Sequence, residues 1–266
     1  MIIDVHVHPH VSRRLDDFAD LIAIAEQFDV QLVTYSVRPV TAANNHEYPS
    51  PENIRACNDQ TRILMERYPD RVHGFAYVNP GHAQEACEEL DFRLREQHFV
   101  GLKLWVAVPC IDPRLDELME ICAHYRVPAL QHTWQKVNGQ KTGESPPAMV
   151  AALAERHPRT TIIAAHAGGD YEYGAKVFRS CENVLLDIGG NECNAGYVEI
   201  LVNHVGADRV IFGTDMPGRS FTSQLAKVLG TELSEADKEK ILFGNMARVL
   251  AETKTIGDPS YFAAYS

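Results

Sequence analysis

The sequence predicts an α/β fold, a (β/α)8 TIM barrel that forms a single domain over residues 1–266. Eight apolar segments of strand length recur along the 266 residues, and a helical pattern follows most of them at the spacing of a βα unit. Many are near-continuous apolar runs, which is typical of parallel strands covered on both faces. The alternative is an open doubly wound sheet, but no glycine-rich dinucleotide-binding motif follows the first strand.

The order of elements follows from the apolar pattern and from proline. Pro9 cannot continue a central strand, so the first strand ends beside it, and Pro51 suits the first turn of a helix. Strands are predicted at 2–8, 31–37, 72–78, 100–105, 127–132, 160–166, 183–188 and 209–214. Helices are predicted at 15–28, 51–68, 83–96, 113–125, up to about 157, at 175–180 and 197–205, and from about 220, 234 and 245.

Composition narrows the class of protein. With 45% hydrophobic and 23% charged residues, the chain has an ordinary globular composition. Its formal net charge of -11 argues against a nucleic-acid partner, because a phosphate backbone attracts a basic surface. No run approaches the ~20 apolar residues of a membrane span, and we expect no signal peptide. Six cysteines without a C-x-x-C pair indicate reduced thiols in a cytoplasmic protein.

Two histidines end the first strand. Side chains alternate between the faces of a strand, so His6 and His8 lie on one face about 7 Å apart. Two imidazoles at this spacing can bind one metal ion. Taken alone, the His-x-His pattern is a weak signal, because such pairs are more often surface or core residues than ligands.

Polar residues also end later strands of the predicted barrel. The carboxyl ends of barrel strands meet at one face, which holds the active site. A mixture of imidazole and carboxylate ligands there suits Zn, Mn or Fe. Each residue also has a structural alternative, since a lone histidine often packs in a core and an aspartate often caps a turn. The strand-end residues are Lys103, His132, His166 and Asp215.

The ordered set of motifs DVHVH, GLKLW, QHTW, AHAGG and FGTDMP resembles the amidohydrolase superfamily. The resemblance is closest to the amidohydrolase 2 branch, which is related to amino-carboxymuconate-semialdehyde decarboxylase. The fragments RVHGFAYVNP and ILFGNMARVL are also similar to that branch. Each motif is weak alone, but together they cover almost the whole chain in the right order.

The resemblance implies a catalytic centre with one divalent metal ion, zinc in the first place and manganese or iron as alternatives. His6, His8, His132 and Asp215 would bind the ion. His166 would lie beside it and orient or activate water, and Asp215 could also accept the released proton. These roles agree with elementary chemistry, because a bound divalent ion lowers the pKa of water to ~7.

The substrate is expected to be a small, anionic, carboxylated molecule. Arg38 and Lys103 place positive charge at strand ends of an acidic protein, and we predict that both bind the substrate anion. The resemblance leaves a second possibility for Lys103, which is carboxylated in two-metal members of the superfamily. Trp105 and Trp134 are predicted to line the pocket, although core packing is about as frequent for such residues.

Three functions remain open from the sequence. The first is a metal-dependent hydrolase that acts through a metal-activated water molecule. The second is a non-oxidative decarboxylase of an aromatic or unsaturated acid, since both reactions occur on this template. The third is a catalytically inactive barrel that binds a metabolite, which the intact set of ligands argues against. A homo-oligomer is compatible with all three.

Overall fold

The computed structural model describes residues 1–9, 18–35 and 47–255. These residues form one parallel sheet of eight strands in the order β1 to β8, each paired with the next strand along the chain. The predicted (β/α)8 barrel is therefore confirmed. The strands are β1 Ile2–Val7, β2 Val30–Thr34, β3 Val72–Tyr77, β4 Gly101–Leu104, β5 Ala129–Gln131, β6 Ile162–Ala164, β7 Val184–Asp187 and β8 Val210–Ile211.

The barrel closes where the chain that follows β8 meets β1. The backbone N–H of Val5 donates to the carbonyl oxygen of Phe212 at 3.1 Å. The N–H of Asp215 donates to the carbonyl oxygen of His6 at 2.8 Å. A third hydrogen bond, 2.7 Å long, joins the His8 N–H to the Met216 carbonyl. Closure therefore brings Asp215 next to His6 and His8, which are more than 200 residues away in sequence.

Helices follow the strands and cover them. Ser50 begins α2 by accepting a hydrogen bond from the Asn53 N–H at 3.4 Å, with Pro51 in the first turn. The helices are α1 Ala19–Phe28, α2 Pro51–Arg67, α3 Ala83–Gln97, α4 Asp116–Tyr125, α5 Pro147–Arg156, α6 Tyr171–Val177, α7 Tyr197–Val205, α8 Phe221–Leu229, α9 Glu235–Glu239 and α10 Asn245–Ala251. None of the helices in the described ranges is long and apolar enough to cross a membrane.

Several predicted boundaries differ from the structure, and two of the differences have identifiable reasons. The sixth helix begins at Tyr171, not at residue 175, because the Asp170 carboxylate caps it by accepting the Tyr173 N–H at 3.0 Å. The eighth strand ends at Ile211, not at residue 214. Beyond it, the backbone N–H of Phe212 donates to the Ile241 carbonyl, and the chain turns towards β1.

Alternating strand residues separate the apolar core into two clusters. Leu32 and Ala76 pack in the larger cluster, which contains most of the helix residues. Their neighbours Val33 and Tyr77 pack in the smaller cluster, together with the C-terminal helix residue Leu250. This alternation is the expected consequence of side chains that point to opposite faces of a strand.

A buried polar network fixes α2 and α3 against β3. The Asn58 amide accepts a hydrogen bond from the Tyr77 N–H at 2.8 Å and donates to the Tyr77 carbonyl at 2.9 Å. It also donates to the buried Glu89 carboxylate at 2.8 Å, which in turn accepts from Arg93 at 2.7 Å. Asn58 therefore satisfies backbone and charged groups that have no access to water.

We predict that Asn58→Ala lowers the free energy of unfolding by about 2–4 kcal/mol, because it leaves buried backbone groups without partners. The matched control is Glu66→Ala on the same helix, which removes an exposed ion pair to Arg62 and should cost less than about 1 kcal/mol. Urea denaturation of both variants measures the difference. Equal stability of the two variants would contradict the role given to the network.

Candidate metal centre and active site

The candidate site is built at the point where β1 meets the chain after β8. The Asp215 Oδ1 atom lies 3.0 Å from His8 Nε2 and 3.4 Å from His6 Nε2. The ligand atoms of these three residues all lie within 4.8 Å of one another. The structure thus brings together three of the four predicted metal ligands.

His6 is held by a carboxylate that the sequence analysis did not select. Its Nδ1 lies 2.5 Å from Asp187 Oδ2, and both side chains are buried. Asp187, at the end of β7, also accepts hydrogen bonds from the backbone N–H groups of Gly189 at 2.8 Å and His166 at 3.4 Å. These contacts favour an ionised Asp187 that accepts the Nδ1 proton of His6. The Nε2 lone pair of His6 is then free to face Asp215.

Burial sets the charge state of this pair. It lowers the pKa of His6 well below the ordinary histidine value, and the positive charge of Lys103 acts in the same direction. Burial also raises the pKa of Asp187. The nearby His166 and the hydrogen bond from Gly189 act against this increase. A neutral imidazole with a bare Nε2 is the form that binds a metal ion.

His166 lies on a turn directly after β6 and contacts the same centre. Its ring centroid is 4.8 Å from that of His6, and its Nδ1 donates to the Gly189 carbonyl at 2.9 Å, which leaves Nε2 unprotonated. Burial lowers the pKa of His166 to about 4. His166 and Ala167 both adopt left-handed backbone conformations, with φ of 60° and 46°. Such strained conformations in residues with side chains concentrate at functional sites.

His132 directly follows β5 on the same side of the barrel but faces a different partner. Its Nε2 lies 3.7 Å from the Glu144 carboxylate, and its ring is nearly parallel to that of Trp134, 6.4 Å away. Within the described residues, the compact groups with metal-ligand chemistry are His6, His8 and Asp215, and His6, His166 and Asp187. His132 belongs to neither, so its role as a ligand stays a prediction.

Lys103 is a buried cation in the barrel interior, 1% exposed. Its ammonium donates to the Tyr35 hydroxyl at 2.9 Å and lies 4.4 Å from the centre of the Tyr35 ring. The same hydroxyl is 3.4 Å from His8 Nε2. Burial lowers the pKa of Lys103 to about 7, although the negative charges of Asp215 and Asp187 oppose this shift. Tyr35 therefore links the cation to the histidine pair.

Asp4 holds the two sides of the closure together. Its carboxylate accepts hydrogen bonds from the Thr214 hydroxyl at 2.6 Å and the Thr214 N–H at 3.0 Å. It also accepts from the His6 N–H at 3.2 Å. Burial raises the pKa of Asp4 to about 8 despite these hydrogen bonds. Asp4 thus braces the backbone that presents His6 and Asp215.

The other predicted substrate contacts have different outcomes. Trp134 is half-buried, with its ring centroid 5.1 Å from that of His166, so it borders the site. Trp105 is half-buried and packs against the smaller apolar cluster. Arg38 lies outside the described residues. Arg219, also basic and near the end of β8, uses its Nε to hold the Gly190 carbonyl at 2.9 Å.

Comparison with known proteins finds a family model and a relative that match most of the chain. The family model described as amidohydrolase matches residues 3–251. The γ-resorcylate decarboxylase of Polaromonas sp. (strain JS666 / ATCC BAA-500) is 24% identical over 292 residues, covering 89% of this chain and 88% of the relative.

Solved structures share the fold. The 2,6-dihydroxybenzoate decarboxylase from Rhizobium superposes with a TM-score of 0.73 at 17% identity, covering 94% of this chain and 98% of that one. A dihydroxybenzoic acid decarboxylase from Polaromonas sp. JS666, solved with manganese and the inhibitor 2-nitroresorcinol, gives a TM-score of 0.72 at 17% identity, with coverages of 97% and 99%.

The match of the family model over nearly the whole chain, on a barrel whose strand ends carry the motif residues, shows that this protein belongs to the amidohydrolase family.

Proposed function

We propose that this protein is a metal-dependent, non-oxidative decarboxylase of a hydroxylated aromatic acid. The observation that carries the proposal is the convergence of His6, His8 and Asp215 on one point at the carboxyl ends of the barrel strands. The type of reaction is supported by the relatives, whose names describe decarboxylases of dihydroxybenzoic acids. They favour decarboxylation over the hydrolysis that the sequence analysis placed first.

The residues of the site fit a divalent metal ion. His6 and His8 offer imidazole nitrogens and Asp215 offers a carboxylate oxygen, a donor set that suits manganese, zinc or iron. We propose these three as ligands and His132 as a fourth. Manganese is the first ion to test, because the Polaromonas structure contains it, and zinc is the second. When bound, the ion would supply positive charge that stabilises developing negative charge on the substrate.

The remaining side chains have roles that this reaction requires. Lys103 and Tyr35 would bind an anionic group of the substrate, with Arg38 as a further candidate and the Trp134 ring as an apolar wall. Decarboxylation replaces the carboxylate on a ring carbon by a proton and releases CO2. His166, whose bare Nε2 could take up a proton from solvent and pass it to the ring carbon, and Asp215 are our candidates for this transfer.

A substrate panel tests the proposal directly. The purified protein, supplied with Mn²⁺ or Zn²⁺, should convert hydroxylated benzoic acids such as 2,6-dihydroxybenzoate into the corresponding phenol and an equimolar amount of CO2. Liquid chromatography and CO2 detection measure both products. Hydrolysis of carboxylated amides or lactones without release of CO2 would instead restore the hydrolase hypothesis.

We predict that His6→Ala combined with His8→Ala empties the metal site, because it removes two of three converging ligand atoms. Elemental analysis should fall from about one divalent ion per chain to nearly none, and turnover should disappear. His166→Ala is the matched control, since it should keep most of the metal but lose ~10²–10⁴ in rate. Full metal content in the double variant would refute the ligand assignment.

We predict that Lys103→Met mainly raises KM and leaves one metal ion per chain, because the ammonium binds a substrate anion. The pKa of Lys103 is about 7, so the charged form exists below that pH and is lost above it. In the wild type, kcat/KM should therefore fall as the pH rises through about 7, and this decline should be absent from the variant. Two ions per chain falling to one would indicate a carboxylated Lys103.

A further inference from the structure

Glu144 is a buried carboxylate at the edge of the site, on the loop that connects β5 to α5. Its side chain is 6% exposed, and its Oε1 atom lies 3.7 Å from His132 Nε2. The sequence analysis did not select it, since it lies twelve residues beyond the strand end that carries His132. Its contact with that histidine is the reason to ask what it does.

The loop surrounds Glu144 with hydrogen-bond donors. Lys136 Nζ lies 2.9 Å from Oε1 and 2.7 Å from Oε2, and Oε2 also accepts from Gln140 Nε2 at 3.2 Å and the Lys141 N–H at 3.1 Å. Lys136 contacts both carboxylate oxygens and so pairs its positive charge with this group. Glu144 is therefore a fixed negative charge whose Oε1 faces the imidazole.

The loop is itself fixed to the barrel on both sides of Glu144. The Trp134 N–H donates to the Ser145 carbonyl at 3.1 Å, and the Ser145 hydroxyl accepts from the Cys110 N–H at 2.9 Å. A Cβ atom on Gly143 would lie 1.7 Å from the Val106 carbonyl oxygen, so only glycine permits this close approach of two chain segments. Glu144 thus has little freedom to move away from His132.

A carboxylate beside one nitrogen of a histidine determines which nitrogen carries the proton. A neutral imidazole carries one N–H, on either Nδ1 or Nε2. A proton on Nε2 faces Glu144 Oε1, whereas a proton on Nδ1 would leave two lone pairs, those of Nε2 and Oε1, facing each other. The contact therefore favours the Nε2–H tautomer and leaves the Nδ1 lone pair available.

We propose that Glu144 is a positioning residue that fixes the orientation and tautomer of His132 and, through Lys136 and Gln140, links them to the loop that carries Trp134. His132 then presents Nδ1 as its ligand atom. This inference extends the proposed function, and only its metal-binding experiment depends on that function. Partners of this kind typically account for 10–100-fold in metal affinity or activity.

The first experiment needs no metal ion. Long-range ¹H–¹⁵N NMR spectra of the metal-free protein with labelled histidine should show His132 as the neutral Nε2–H tautomer. The signal is assigned by its loss in His132→Gln. Glu144→Ala should shift the signal towards a mixture of tautomers, and Glu144→Gln, whose carbonyl can still accept a hydrogen bond, should retain it. An Nδ1–H tautomer in the wild type would overturn the inference.

The second experiment is a double-mutant cycle on Mn²⁺ affinity, measured by competition with a chelator. Glu144→Ala should weaken binding about 10–100-fold in the wild type, and should have little effect in the His132→Gln background. Lys136→Met keeps the carboxylate and should weaken binding far less than Glu144→Ala. Equal effects in both backgrounds would show that Glu144 does not act through His132. A wild type that binds no Mn²⁺ refutes the proposed metal site. The NMR spectra of the metal-free protein then show whether Glu144 fixes the tautomer of His132.

Discussion

The contact between His6 Nδ1 and Asp187 Oδ2 is the constraint on which the rest of the site depends. It joins β1 to β7 across the barrel and leaves His6 Nε2 free to face Asp215. The absence of a side chain at Gly213 leaves space for this contact. A Cβ atom there would lie 2.1 Å from Asp187 Oδ1 and 2.9 Å from the Cβ of His6. A glycine at 213 is thus required for the carboxylate to reach the histidine.

The charges of the site explain why it favours a cation. A hydrogen bond with His8 and the proximity of His6 outweigh burial and lower the pKa of Asp215, so this carboxylate is ionised. Burial lowers the pKa values of His6 and His166, so both rings are neutral near pH 7. Lys103, with a pKa of about 7, is the charge that opposes the carboxylates. A divalent ion would offset the excess negative charge and allow an anionic substrate to enter.

The sequence was sufficient to predict the barrel, because parallel strands and helices alternate with clear apolar patterns. It also predicted that His6, His8 and Asp215 meet, since the carboxyl ends of barrel strands share one face. Asp187 was not predicted although it ends β7 in the same way, because a single aspartate after an apolar run gives no sign of its contact with His6. Tyr35 and Glu144 could not be found from sequence, since their roles arise from contacts with Lys103 and His132 across the fold.

The most direct measurement of the central claim is pulsed electron paramagnetic resonance of the Mn²⁺-loaded protein, which detects nitrogen nuclei bound to the ion. If His6 and His8 present their Nε2 atoms beside Asp215, the spectrum should contain couplings from at least two imidazole nitrogens. Tightly bound Mn²⁺ without any histidine nitrogen coupling would contradict this account.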